Sequence, residues 1–174
     1  MFTPMHGKFN YPVFILRMII EAVFLVLGIF VVILGPGHWS ANHDLSGVVG
    51  MTVVFAALLL FMNVKIIRAI WTERFGIRIE PDSLIITDHL LFKRRVLRGD
   101  DIKGFSLSEY PLRGMKVKSI LLYLSTGEKI EFPQFMFFNF KSLAPSLQES
   151  GITFLGEEPY IWKWVDSRVY KYDQ

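Results

Sequence analysis

GVVGMTVVFAALLLFMNVKIIRAIW, residues 47–71, decides how this chain is built. From Gly47 through Val64 it carries no charge, and Lys65 and Arg68 then close the run. An uncharged apolar stretch of about 18 or more residues is long enough to cross a bilayer as a helix. The stretch reads as a transmembrane helix over 47–70, with Trp71 as an interface anchor at its end.

Before it, a second apolar run over 13–35 contains Arg17 and Glu21. Its core, Ile15 to Leu34, holds 15 Leu, Ile, Val or Phe residues. Each favours insertion by about 0.3–0.6 kcal/mol, and together they outweigh the at most ~6 kcal/mol of two central charges. Both charges also lie toward one end, where long side chains snorkel. The run exceeds the about 7–15 apolar residues of a signal peptide, and GPGHWSANHD offers no clear small-x-small cleavage site. A helical hairpin is therefore expected, with Gly35-Pro36-Gly37 ending the first helix and 36–46 forming the loop. Residues 1–12, broken by Pro4, Gly7 and Pro12, read as a tail. Lys8 and Arg17 flank the first helix, Lys65, Arg68, Arg74 and Arg78 follow the second, and the loop has neither Lys nor Arg. The positive-inside rule then places both termini in the cytoplasm.

After Trp71 the period changes to two. Ile77 and Ile79 alternate with Arg78 and Glu80, and Pro81-Asp82-Ser83 turns the chain into Leu84–Thr87. Further strands are expected over 90–98, 102–108, 115–125 and 128–132, separated by Gly, Asp and Pro turns. Short strands at this spacing imply an antiparallel meander. A helix within 139–150 closes it, presenting Phe140, Leu143, Ala144 and Leu147 on one face. Ser142 as its N-cap would put Pro145 in the first turn. The class is α+β: a transmembrane hairpin, a β domain over 71–155, and an aromatic, basic tail over 156–174.

This order of parts resembles small bacterial membrane proteins that carry a pleckstrin-homology-like domain. The likeness rests on IRIEPDSLIIT, LLFKRRVLRGDDIKGF, ILLYLSTGEKIEF and FKSLAPSLQESG, with Arg98-Gly99-Asp100-Asp101-Ile102 matching the step between two strands. The closing helix lacks the tryptophan of eukaryotic members, so phosphoinositide binding is not carried over. The resemblance implies a bacterial inner-membrane protein with a tethered cytoplasmic binding module.

Several chemistries are excluded by composition. The absence of cysteine rules out disulfides and Cys-ligated zinc. From Lys65 onward, 17 of the 19 Lys and Arg accompany 14 of the 16 acids, too mixed for a nucleic-acid footprint. No phosphate-cradling glycine loop is present, and no Ser-His-acid set is suggested, since His89 is the only histidine after the hairpin and no serine shows a nucleophile elbow. The expectation is a non-enzymatic protein without cofactor or metal. His38, His43 and Asp44 in the loop have no metal-binding spacing.

The candidate contacts are of three kinds. Glu21, the one acid in a membrane run, is expected to pair with Lys65, Arg68, Asn63 or its i−4 neighbour Arg17. Lys93, Arg94, Arg95 and Arg98 form the densest basic run and are candidates for anionic headgroups, although alternation on a strand splits them between two faces. Trp162 and Trp164 are candidate interface anchors in the tail. FPQFMFFNF, residues 132–140, is expected to fill the core around the closing helix. The reading is a membrane-tethered module that recognises anionic headgroups or an unknown protein partner. The alternative is a subunit or accessory of a membrane complex or transporter whose hairpin is the working part.

Overall fold

A computed structural model describes residues 4–39, 45–112, 115–159 and 172. It contains two units, Pro12–Trp71 and Met1–Tyr11 together with Thr72–Gln174.

The helical unit is built from α1 (Tyr11–Trp39) and α2 (Leu45–Glu73). Tyr11–Val31 and Gly50–Glu73 are long and apolar enough to cross a membrane, with mean hydropathies of 2.5 and 2.1. Their side chains support the same conclusion. Ile15, Val26, Ile29, Val53, Leu58 and Leu60 are all more than half exposed, an outer surface suited to lipid rather than water. α1 continues through Gly35-Pro36-Gly37 to Trp39 instead of stopping before them. Pro36 removes one backbone donor, whereas ending the helix there would leave several groups open, and a helix in an apolar medium must satisfy its own backbone.

The β unit contains β1 (Met5–His6), β2 (Phe75–Ile79), β3 (Ser83–Asp88), β4 (Lys93–Arg98), β5 (Ile102–Leu112), β6 (Met115–Leu124), β7 (Lys129–Pro133), α3 (Phe140–Glu149) and β8 (Phe154–Glu158). The strands form two four-stranded sheets, ordered β1-β2-β3-β4 and β7-β6-β5-β8. Two features depart from the expected meander. The residues read as a tail contribute β1, which pairs with β2 through Met5↔Ile79 and His6↔Arg78. Phe9 then bridges Phe137 and is buried. At the other end β8 pairs with β5 in parallel.

The registers explain the core. Opposed residues of an antiparallel pair share a face. In the first sheet Ile77↔Ile86 and Ile79↔Leu84↔Leu97 therefore lie together, and all are buried. In the second, Phe105↔Leu122↔Ile130 and Ile120↔Phe132 do the same. α3 adds Phe140, Leu143 and Leu147 to the buried set, the helical stripe expected of its sequence. It begins after Asn139 rather than Ser142, so Pro145 is its sixth residue. The missing Pro145 N–H leaves open the carbonyl of Lys141, an exposed residue that water can reach. Of the Phe132–Phe140 run, Phe132, Met136, Phe137 and Phe140 are buried, while Phe138 is 69% exposed.

Candidate functional site

The first sheet has a second face, and it is open. Its registers place His6, Arg78, Ile85 and Val96 in one row and Gly76, Thr87 and Arg94 in the next. These residues, with Lys8, Phe9, Tyr11 and His89, line a concave groove of about 690 Å³. Five of the lining side chains carry basic nitrogens (His6, Lys8, Arg78, His89, Arg94) and none carries a carboxylate. The floor is apolar or small.

One wall is built by the N-terminal segment. Gly7 N–H donates to the Ile77 carbonyl at 2.9 Å, and a Cβ on Gly7 would press on the Ile77 backbone. Lys8 N–H donates to Asn139 Oδ1 at 2.7 Å, and Asn10 Nδ2 donates to the Phe135 carbonyl at 3.0 Å. The segment is thereby fastened on both sides. Phe9 stacks on the His89 ring with centroids 4.1 Å apart and meets Phe137 edge-on at 5.8 Å. Phe137 in turn touches Phe132 of β7, so the groove wall is continuous with the core.

His89 sits where the groove meets this wall. Its imidazole lies over Gly76, where a Cβ would collide with Nε2. Its Nδ1 is 3.2 Å from the Tyr11 hydroxyl. Burial pushes the His89 pKa below the ordinary imidazole value, partly offset by the charge of Asp88. In the neutral tautomer that carries its proton on Nε2, Nδ1 accepts the Tyr11 O–H; in the other, Nδ1–H donates to the Tyr11 oxygen. Asp88, itself buried, accepts Leu90 N–H and Leu91 N–H at 3.0 and 2.9 Å through Oδ1, and its Oδ2 lies 2.9 Å from Arg74 Nε. That buried pair fixes the β3–β4 turn.

The basic run of β4 divides as strand alternation requires. Arg94 lines the groove, whereas Arg95 points the other way and pairs with Glu128. Arg98 lies in register with Ser83, with its N–H donating to Asp101 Oδ2 at 2.9 Å, and Lys93 lies opposite Asp88. The four cations do not form one patch. The groove's other cations, Lys8 and Arg78, come from elements that sequence pattern could not connect. Arg78 Nε is 3.0 Å from Glu80, and no other ion pair of its guanidinium is seen among the described residues.

The structure does not bring Glu21 and Lys65 together. The Lys65 ammonium lies over the Phe61 ring, 5.0 Å from its centroid. Glu21 is buried with both carboxyl oxygens unpartnered among the described residues. Asn63 is buried as well. Its Nδ2 donates to the Leu59 carbonyl at 2.7 Å, and its Oδ1 has no partner among the described residues. Asn63 borders an apolar groove of about 400 Å³ lined also by Leu25, Gly28, Ala56 and Leu59. Trp71 is 53% exposed at the end of α2. Trp162, Trp164, His43 and Asp44, and the side chain of His38, lie outside the described residues. Among the described residues no group of three His, Cys, Asp or Glu could hold a metal ion. No protein-family model matches the chain, and a search of curated proteins finds no match.

Proposed function

We propose that this chain is a membrane-anchored binding module whose first sheet takes an anionic lipid headgroup in its basic groove. The observation that carries the reading is the composition of that groove: cations from β2, β4 and the N-terminal segment, an apolar floor, and no carboxylate. Charge of one sign in a concavity concentrates anions. The apolar floor suits a ligand that is anionic at one end and hydrocarbon at the other.

The chain's path supports a membrane source for that ligand. The β unit owns both β1, before the hairpin, and β2, after it, so the chain leaves that unit at Tyr11 and re-enters it at Thr72. Two crossings in between return it to the same side. The clustering of Lys and Arg at the ends near the β unit favours the cytoplasmic side of a bacterial inner membrane. The resemblance to membrane proteins with a pleckstrin-homology-like domain agrees with this arrangement. A second reading, in which the hairpin serves a membrane complex or transporter, is favoured by the unpartnered oxygens of Glu21 and Asn63.

The test uses the full chain in phosphatidylcholine nanodiscs, titrated calorimetrically with a short-chain phosphatidylglycerol below its micelle concentration. Saturable binding that weakens with salt is expected. Lys8→Ala with Arg94→Ala removes two contacts of about 1 kcal/mol each, a loss of roughly 30-fold in affinity. Equal binding by this variant, or by a short-chain phosphatidylcholine, would refute the groove as the site.

A further inference from the structure

We infer that the β3–β4 tip, residues 89–95, is a membrane-inserting loop that docks the β unit on the lipid surface from which α1 and α2 depart. The inference rests on the membrane-anchored reading above and adds to it the surface that enters lipid.

Leu91 is 46% exposed and Phe92 is 91% exposed. Phe92 also holds a φ of 53°, a left-handed conformation that suits glycine or asparagine far better than a bulky ring. In water such a residue leaves its ring without contacts. Against a bilayer the same ring is an apolar tip entering hydrocarbon. The three residues that follow, Lys93, Arg94 and Arg95, supply cations beside the apolar tip, the pairing that anionic headgroups attract. Because Phe92 precedes β4, those cations need not share one face to lie near headgroups once the tip has entered.

Position decides between lipid and a protein partner. Asp88 holds the tip through Leu90 N–H and Leu91 N–H, and the same carboxylate pairs with Arg74. His89 N–H donates to the Arg74 carbonyl at 2.9 Å. Arg74 is the residue directly after α2, which ends at Glu73. On its other side His89 meets Tyr11, the first residue of α1. The tip is thus hydrogen-bonded to both points where the chain passes into its apolar helices. The exposed apolar tip and the residues that lead into the apolar helices thus belong to one hydrogen-bonded cluster of the β unit, and lipid is the occupant argued for it.

The chain has no cysteine, so single labels are simple to place. Phe92→Cys and Thr126→Cys, the latter on the exposed β6–β7 turn, are each labelled with an environment-sensitive fluorophore in the full chain. Both are placed in nanodiscs of phosphatidylcholine and phosphatidylglycerol. The label at 92 is expected to be quenched by doxyl-labelled lipid at least about threefold more than that at 126, and to be shielded from aqueous iodide. Iodide quenching equal at the two positions overturns the inference. Shielding from iodide without lipid quenching also overturns it, and assigns the tip to a protein contact. Lys8→Glu with Arg78→Glu separates the two claims, because it abolishes binding in the groove and leaves lipid quenching at position 92 unchanged.

Discussion

The two sheets of the β unit each have one face in the core, and they treat the other face oppositely. On the first sheet that face is open, cationic and concave, with Arg78 and Arg94 exposed. On the second it carries Ser106, Ser108, Ser119, Tyr123 and Glu158, polar residues that are nonetheless all buried. The Tyr123 hydroxyl donates to Glu158, and the ring meets Tyr172 edge-on at 6.2 Å. Burial and the neighbouring carboxylate push the Tyr123 pKa upward. A buried polar face is withdrawn from solvent whether its groups are paired, as Tyr123 is with Glu158, or unpaired among the described residues, as Ser119 Oγ is. An exposed cationic face keeps its hydrogen-bonding capacity for something else. The proposed binding role of the first sheet rests on this difference in exposure.

The largest effect that tests this contrast is expected at Glu158. Glu158→Ala leaves the buried Tyr123 hydroxyl without its acceptor, and a bond to a charged group contributes about 1.5–3 kcal/mol. Thermal unfolding of the full chain in detergent, followed by the β-sheet circular dichroism, should show a clear fall in Tm. Arg94→Ala on the open face should stay within about 0.5 kcal/mol of the parent. A tolerant Glu158 would mean that the second sheet's polar face is open too, and the contrast would disappear.

An intermediate effect is expected at Gly76, where the open face meets the core. A Cβ there collides with the His89 ring, which is held by Phe9 and Tyr11. Gly76→Ala should destabilise the β unit by about 1–3 kcal/mol, the usual range for overpacking. It should also weaken ligand binding by displacing the wall. The same ring gives a pH signature. Its folded-state pKa is lowered from 6.5, so the unfolded chain binds the extra proton first as pH falls. Stability is then fully present above about 6.5 and declines as pH drops through that value toward the folded pKa. His89→Gln should remove this acid-side slope. A slope that persists in the variant would assign it to another group.

Much of this architecture is legible in the residues, and the exceptions share a cause. The apolar runs over 13–35 and 47–70 and the period-two segments give α1, α2 and most strands, because helix and strand periodicities are local signals. β1 and β8 escape, since two residues of one and FLGEE of the other become strands only through partners far away in sequence. The strand read as 90–98 begins at Lys93 because Asp88 captures Leu90 N–H and Leu91 N–H into a turn. For the site, the alternation of Lys93–Arg95 is visible in advance, and Arg94 follows from it. Lys8, Tyr11 and His89 do not, as their meeting depends on the N-terminal segment returning to β2. A fragment starting at residue 72 would lack β1, Phe9 and Tyr11, and with them a wall of the groove.

The smallest effects separate neighbours on β4. Arg95 and Arg94 are adjacent, carry the same charge and are both exposed, yet they point to opposite faces of one strand. Arg95 pairs with Glu128, each side chain about half exposed, and pairs of that kind contribute about 0.2–1 kcal/mol. Arg94 lines the groove instead. Arg95→Ala is therefore expected to lower stability by a few tenths of a kcal/mol while leaving binding of short-chain phosphatidylglycerol nearly intact, and raising salt should shrink even that stability loss. Arg94→Ala should do the reverse: no measurable change in unfolding, and a several-fold weaker titration at low salt, from about 1 kcal/mol per lost cation. Measuring both variants in one buffer makes the comparison internal, because net charge changes identically. If the two weaken binding equally, the ligand reads total charge rather than the groove, and the open face of the first sheet loses its claim to be a site.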